Sequence, residues 1–314
     1  MLALPDLAKK PQRFTGGHRA CAGCGFPITI KIILQAAENP VVVGCSTGCM
    51  EVTSTIYPYT AWECSFIHSA FENVAATISG VETAYRSLKK QGKIQEEITF
   101  IAFGGDGGTY DIGLQALSGA MERGHKMVYI CYDNQGYMNT GIQRSSATPR
   151  GANTTTSPAG THIPGKQQYP KDLTAIMAAH NIPYVAQSSM SHWNDLYRKA
   201  KKAFSADGPA FLNVLSTCRL GWATAPEDTV DVAEGAVQCK LWPLFEVEEG
   251  VWKLSFKPRQ PLPVADWMKQ QGRFKHLFRP ENAELLTDIQ REVDERWEKL
   301  LKRCGIENGG DKQG

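Results

Sequence analysis

Ile98-Thr99-Phe100-Ile101-Ala102-Phe103-Gly104-Gly105-Asp106-Gly107-Gly108 and Met127-Val128-Tyr129-Ile130-Cys131-Tyr132-Asp133-Asn134-Gln135-Gly136-Tyr137-Met138-Asn139-Thr140-Gly141 decide the fold. Each begins with an unbroken apolar run, the pattern of a strand buried on both faces of a parallel sheet. Between them Ile112, Leu114, Leu117, Ala120 and Met121 recur at helical spacing, and Gly124 is placed to end the helix. The stretch predicts one βαβ unit. A carboxylate, Asp106, follows its first strand and an amide, Asn134, its second. Neighbouring strand ends of an open parallel sheet form a ligand crevice. Side-chain oxygens of Asp106 and Asn134 and the carbonyl of Gly136 can take three positions on Mg2+, whose octahedron phosphate oxygens and water complete. Gly105 and Gly107 let the backbone approach a diphosphate, and a helix N-terminus favours its charge. Asn139 and Thr140 are counted with these cofactor-binding residues. A nicotinamide dinucleotide fits poorly, because Gly104 to Gly108 lacks the G-x-G-x-x-G spacing. Asp106 would also repel its phosphate unless a metal intervened.

The pattern outside this unit continues the alternation of strands and helices. Ile28 to Ala37 predicts a helix, Pro40 to Gly44 a short strand, and Phe66 to Leu88 a long helix starting near His68. Lys171 to His180 and His192 to Ala206 predict helices, with a strand at Tyr184-Val185-Ala186 between them and another at Phe211 to Leu215. The expectation is a doubly wound, mainly parallel α/β sheet. The first domain is expected over residues 1–240. Residues 241–314 are expected to form a C-terminal extension: a hairpin at Phe245 to Leu254, an amphipathic helix from Glu281 to Arg303, and a disordered tail from Glu307. From Asn139 to Lys171 there is no acid, but Arg144, Arg150, Lys166 and Lys171 stand among many hydroxyl residues. That loop suits diphosphate and carboxylate binding, or else is a surface insertion.

Nine cysteines stand at 21, 24, 45, 49, 64, 131, 218, 239 and 304. No apolar signal segment precedes them and no run reaches the length of a membrane span, so a cytoplasmic protein with reduced thiols is expected. Clustered cysteines then point to metal. Cys21, Cys24, Cys45 and Cys49 have the spacing of a tetrahedral zinc site. Cys21, Cys24 and Cys49 with distant Cys218 could instead hold a 4Fe–4S cluster. Local spacing alone slightly favours zinc.

The Gly-Asp-Gly and distant Asn resemble the metal–diphosphate motif of thiamine diphosphate enzymes. A closer resemblance rests on Gly17-His18-Arg19-Ala20-Cys21-Ala22-Gly23-Cys24-Gly25, Ser46-Thr47-Gly48-Cys49, Phe71-Glu72-Asn73-Val74-Ala75-Ala76, Tyr137 to Ser145 and Thr148-Pro149. These are similar to the β subunits of 2-oxoacid:ferredoxin oxidoreductases, over residues 14 to 255. The resemblance implies thiamine diphosphate, Mg2+ and one 4Fe–4S cluster on Cys21, Cys24, Cys49 and Cys218, the last within Cys218-Arg219-Leu220-Gly221-Trp222. Cys45 is then structural. It implies oxidative decarboxylation of a small 2-oxoacid, such as pyruvate with coenzyme A, or of oxalate without it. Electrons would pass through the cluster to ferredoxin. Asn134-Gln135-Gly136 departs from the Asn-Glu common in pyruvate-associated members; one negative charge fewer near the metal would suit dianionic oxalate.

His68 and His18 are candidates for cofactor and cluster contacts, or else structural histidines. The resemblance also implies a glutamate that activates thiamine diphosphate from a pyrimidine-binding domain. No such domain is visible here, so partner subunits carrying it and further clusters are expected. A non-redox decarboxylase or synthase subunit with structural zinc is the alternative, and a non-catalytic assembly subunit another. The balance of 34 basic and 32 acidic residues leaves a charge of +2, with no basic stripe for nucleic acid.

Overall fold

The computed structural model describes residues 4–306; the expected disordered tail from Glu307 to Gly314 lies outside them. Its strands are β1 (Val41–Ser46), β2 (Ser65–Ser69), β3 (Thr99–Gly105), β4 (Val128–Asp133), β5 (Tyr184–Ser189), β6 (Ala210–Leu215), β7 (Phe245–Glu248) and β8 (Val251–Leu254). They form an 8-stranded sheet in the order β2-β1-β3-β4-β6-β5-β7-β8. Pairings among β1 to β6 are parallel, and the β7–β8 hairpin adds to β5 antiparallel. The hairpin therefore continues the sheet.

Alternation along the central strands sends side chains to two cores. Ile101, Phe103, Ile130 and Leu212 face helices Phe26–Ala36 and Trp193–Ser205. Phe100, Ala102, Tyr129 and Phe211 face helices Val74–Lys90 and Leu114–Glu122 and the end of Ala283–Arg303. This is the doubly wound arrangement the apolar runs predict. Burying a side chain such as Ile130 stabilises the fold by about 1.5–3 kcal/mol. A third core gathers Trp222, Trp267, Phe274 and Val293 beneath the C-terminal segments.

Two local expectations fail. Phe66 to Leu88 is not one helix: Ser65–Ser69 is strand β2, and the helix runs from Val74 to Lys90. As an edge strand paired only with β1, β2 is largely solvent-facing and lacks both the continuous apolar run and clean alternation. The chain after Asp106 first makes a π-helical turn, Gly107–Ile112, before the α-helix Leu114–Glu122. The extra residue per turn breaks the expected apolar stripe and leaves Ile112 55% exposed. Single π turns inside helices occur often at functional sites.

Candidate functional site

From β1 the chain steps outward to β2, whereas β3 lies on the other flank of β1. Their carboxyl ends therefore diverge, and a crevice opens at this switch point. Thr47, Gly48 and Cys49 follow β1 into it, Gly105 and Gly107 come from β3, and Asn134, Gly136, Tyr137, Met138, Asn139 and Thr140 follow β4. Phe71 forms another wall. The cleft holds only ≈ 30 Å³. Gly107 has no room for a side chain, because a Cβ there would meet the Tyr137 ring at 2.4 Å. The Tyr137 hydroxyl donates to the Gly107 carbonyl at 2.9 Å and ties the two turns together.

Three oxygens converge at this end. The Asn134 amide position facing inward lies 2.9 Å from Asp106 Oδ1 and 2.9 Å from the Gly136 carbonyl. Without a cation the amide is satisfied by turning its NH2 toward both. With its oxygen inward, that oxygen lies from each of the other two at the spacing of adjacent corners of an octahedron with bonds of about 2.0–2.1 Å, the geometry of Mg2+. Asp106 is fully buried, accepts from Ser145 Oγ at 2.5 Å and accepts from the Asn134 backbone N–H at 3.2 Å. Burial, then the neighbouring Asp133, hold its carboxyl well above the usual range. A divalent cation would relieve that cost. Asp133 is pushed up to about 6 by burial and accepts from Tyr110 Oη and the Gln135 N–H.

The loop from 139 to 171 is exposed over much of its middle but is anchored beneath the site at several points. Ser145, Thr148 and Lys166 are buried beneath the metal loop, and Thr148 Oγ1 donates to the Gln135 carbonyl at 2.8 Å. Lys166 donates to the carbonyls of Thr148 and Ser146. Lys171 donates to the Tyr110 carbonyl, and Arg150 stacks on Tyr169. The four cations of this loop do not line the cleft; its hydroxyls support the site instead.

The cysteines come together from three parts of the chain. Cys24 and Cys218 form an isolated antiparallel bridge, and the Cys218 thiol accepts from the Gly221 N–H at 3.3 Å. Cys49 opens the short helix Cys49–Ser54 after β1. Burial, and then mutual repulsion with Cys218, Cys49 and Cys21, push the Cys24 thiol up to about 12. Cys49 is pushed up to about 12 by burial, Cys218 and Cys21. Cys45 stands apart: it is fully buried in the core, its thiol meets the Ser46 carbonyl, and Glu51 is the charge that acts on it. Among the described residues, no group of three or more His, Cys, Asp or Glu side chains is arranged to hold a metal ion. The Nε of Arg219, the next residue in the chain after Cys218, is buried without a hydrogen-bond partner.

His68 does not line the cleft. It sits half-exposed on β2, with Nε2 bonded to Thr47 Oγ1 at 2.7 Å, so it touches the crevice only through Thr47. His18 stacks on Phe14 with ring centres 5.3 Å apart, and burial holds it below its usual range. Sequence reasoning gave no role to Thr47, Gly48, Phe71, Ser145 or Trp222. The signal for the first two was available, since they follow a strand at the switch point. Trp222 donates its indole N–H to the Asn134 carbonyl at 2.8 Å, a link between segments 88 residues apart.

Residues 42–214 match the family model described as thiamine pyrophosphate enzyme, C-terminal TPP binding domain. Fold and crevice thus belong to the thiamine diphosphate enzymes. The chain is 54% identical to pyruvate synthase subunit PorB of Thermotoga maritima, over 94% of this chain and 93% of that protein. It is 50% identical to the subunit of the same name from Methanocaldococcus jannaschii, over 91% and 96%. Ketoisovalerate oxidoreductase subunit VorB of Pyrococcus furiosus is 39% identical, over 97% and 99%. The solved 2-oxoglutarate:ferredoxin oxidoreductase from Magnetococcus marinus shares the fold, with a TM-score of 0.57 at 20% identity, over 96% of this chain and 93% of that one. The chain belongs to the β subunits of the 2-oxoacid:ferredoxin oxidoreductases, and is one subunit of a multi-subunit, ferredoxin-linked oxidoreductase. No described helix is long and apolar enough to cross a membrane.

Proposed function

We propose that this chain supplies the diphosphate-binding half of a pyruvate-oxidising active site, together with the first cluster on the electron path to ferredoxin. The observation that carries the reading is the approach of the Asn134 side-chain amide, at the switch point, to Asp106 Oδ1 and the Gly136 carbonyl, 2.9 Å from each. These residues would hold Mg2+ and, through it, the diphosphate of thiamine diphosphate. Asn139, Thr140, Gly105 and Gly107 would bound the diphosphate. When bound, thiamine diphosphate supplies the electron sink for decarboxylation, and a 4Fe–4S cluster accepts electrons one at a time.

Cys21, Cys24, Cys49 and Cys218 are the proposed cluster ligands. Their donor set fits: four thiols within electrostatic reach, three of them partly buried, and Cys45 set apart. The cube of a 4Fe–4S cluster spaces its thiolates more widely than a single ion does. A tetrahedral zinc site would instead need Cys45 to leave the core.

The cleft on this chain is far below the roughly 300–1,000 Å³ of a small-molecule pocket. That supports a second wall from a partner subunit, which would also bring the activating glutamate. Substrate choice follows the relatives: pyruvate is favoured, with coenzyme A as acyl acceptor. The case for oxalate loses its footing, because the Gln135 side chain faces Arg273 rather than the cleft.

The test is purification of the native complex without oxygen, followed by ferredoxin reduction with pyruvate, 2-oxoisovalerate, 2-oxoglutarate and oxalate, each with and without coenzyme A. Pyruvate should give the highest kcat/KM and require coenzyme A, while the isolated chain gives no turnover. Turnover by the isolated chain, or preference for oxalate, would overturn the proposal.

A further inference from the structure

Arg273 is a buried charge that the proposed reaction leaves without a task. It lies on the 3-10 turn Gly272–Phe278, beyond the segment matched by the family model, and is 4% exposed. Its Nε donates to Gln271 Oε1 at 2.9 Å and its Nη2 to Gln135 Oε1 at 2.6 Å. Its guanidinium lies 4.0 Å from the centre of the Trp222 ring and 4.8 Å from that of Phe274. Both hydrogen-bond acceptors are neutral amides. Burying a guanidinium against amides and rings costs several kcal/mol unless anions nearby offset it. The ionisable groups that act on it are Cys218, then Asp133 and Asp106, and ligation of a cluster would make Cys218 a thiolate.

Trp222 explains why both loops are within reach. Its backbone N–H donates to the Cys218 carbonyl at 2.9 Å, and its indole N–H donates to the Asn134 carbonyl at 2.8 Å. Met138 fills the space over Gly221, where a Cβ would meet its sulfur at 2.2 Å. The ring on which Arg273 stacks is therefore wedged between the cysteine loop and the metal loop.

We propose that Arg273 is the counter-charge built into this subunit for the cluster on Cys218, favouring the reduced cluster and raising its midpoint potential, while its fork positions Gln135 in the metal loop. Each electron added makes the cluster more negative, and a fixed buried cation stabilises that state. Arg273 is a positioning residue and touches no reacting atom. The inference rests on the cluster assignment above.

The experiment is an EPR-monitored redox titration of the complete complex, following the signal that disappears in Cys218→Ala. Arg273→Gln should move the midpoint to more negative potential, and Arg273→Lys should keep it near the wild-type value. If Arg273→Gln fails to retain the cluster, Gln135→Glu decides. It leaves the arginine in place and sets a carboxylate against it, so the midpoint should again move negative. An unmoved midpoint in Arg273→Gln, or in Gln135→Glu where the first variant loses its cluster, overturns the inference alone. Absence of any Cys218-dependent signal in the wild type overturns the cluster assignment, and the inference falls with it.

Discussion

The oxygen-rich end of β3 and β4 and the sulfur-rich patch around Cys24 and Cys218 lie close together but are built differently. The oxygen site is made by one contiguous βαβ unit. Its ligand candidates are fixed by backbone register, with Gly105 opposite Tyr132, and the Asn134 amide already stands 2.9 Å from the Asp106 and Gly136 oxygens. The cysteine site draws on the N-terminal turn, the end of β1 and the loop after β6. Burial holds Cys24 and Cys49 in the protonated form. Local chain geometry can preorganise an oxygen site before its metal arrives. A site assembled from distant loops must be completed by what it binds, because ligand binding and thiol deprotonation are coupled.

Perturbing the two regions should therefore have unequal consequences. The largest effect falls on the oxygen site: Asp106→Ala should abolish Mg2+-dependent retention of thiamine diphosphate while circular dichroism and thermal melting stay close to wild type. Full retention of cofactor in that variant would remove the metal assignment. Next comes its support. Ser145→Ala removes the hydrogen bond to Asp106 Oδ2. Loss of such an outer partner typically weakens metal binding by about 10–100-fold. Calorimetric titration with Mg2+ and thiamine diphosphate reads this, and an unchanged affinity would show that Asp106 is held by the fold alone.

The smallest effect concerns Lys166, whose buried amine is lowered to about 8, first by desolvation. Between pH 8 and the unfolded value near 10.5, the unfolded chain binds more protons than the native one. Stability therefore rises with pH across that window. Relative to Lys166→Met, the wild-type subunit should gain melting temperature from pH 8 to pH 10. A constant difference would mean that Lys166 titrates normally and that the loop beneath the metal site is wetter than its burial indicates.

The contrast also explains what the sequence made legible. The βαβ unit, Asp106, Asn134 and Gly136 could be read because all three candidate ligands follow strands marked by apolar runs. The strand β2 could not, since a solvent-facing edge leaves neither alternation nor a continuous run. The π turn after Asp106 was hidden because its residues share the composition of an α-helix start. Ser145, Trp222 and Arg273 act across 39, 88 and 138 positions, and no local periodicity marks such contacts. The cysteine set was separable from its zinc alternative only by resemblance. In the fold, the difference is that Cys45 points into the core of β1 while Cys218 pairs with Cys24.

The central claim, that this subunit carries a redox cluster beside the thiamine diphosphate site, is tested most directly by iron content and the reduced-cluster EPR signal of two variants in the native complex. Cys218→Ala should lose one cluster's iron and signal, along with ferredoxin reduction. Cys45→Ala should keep all three, its cost confined to packing in the core. Loss of the cluster from Cys45→Ala with full retention in Cys218→Ala would contradict the account.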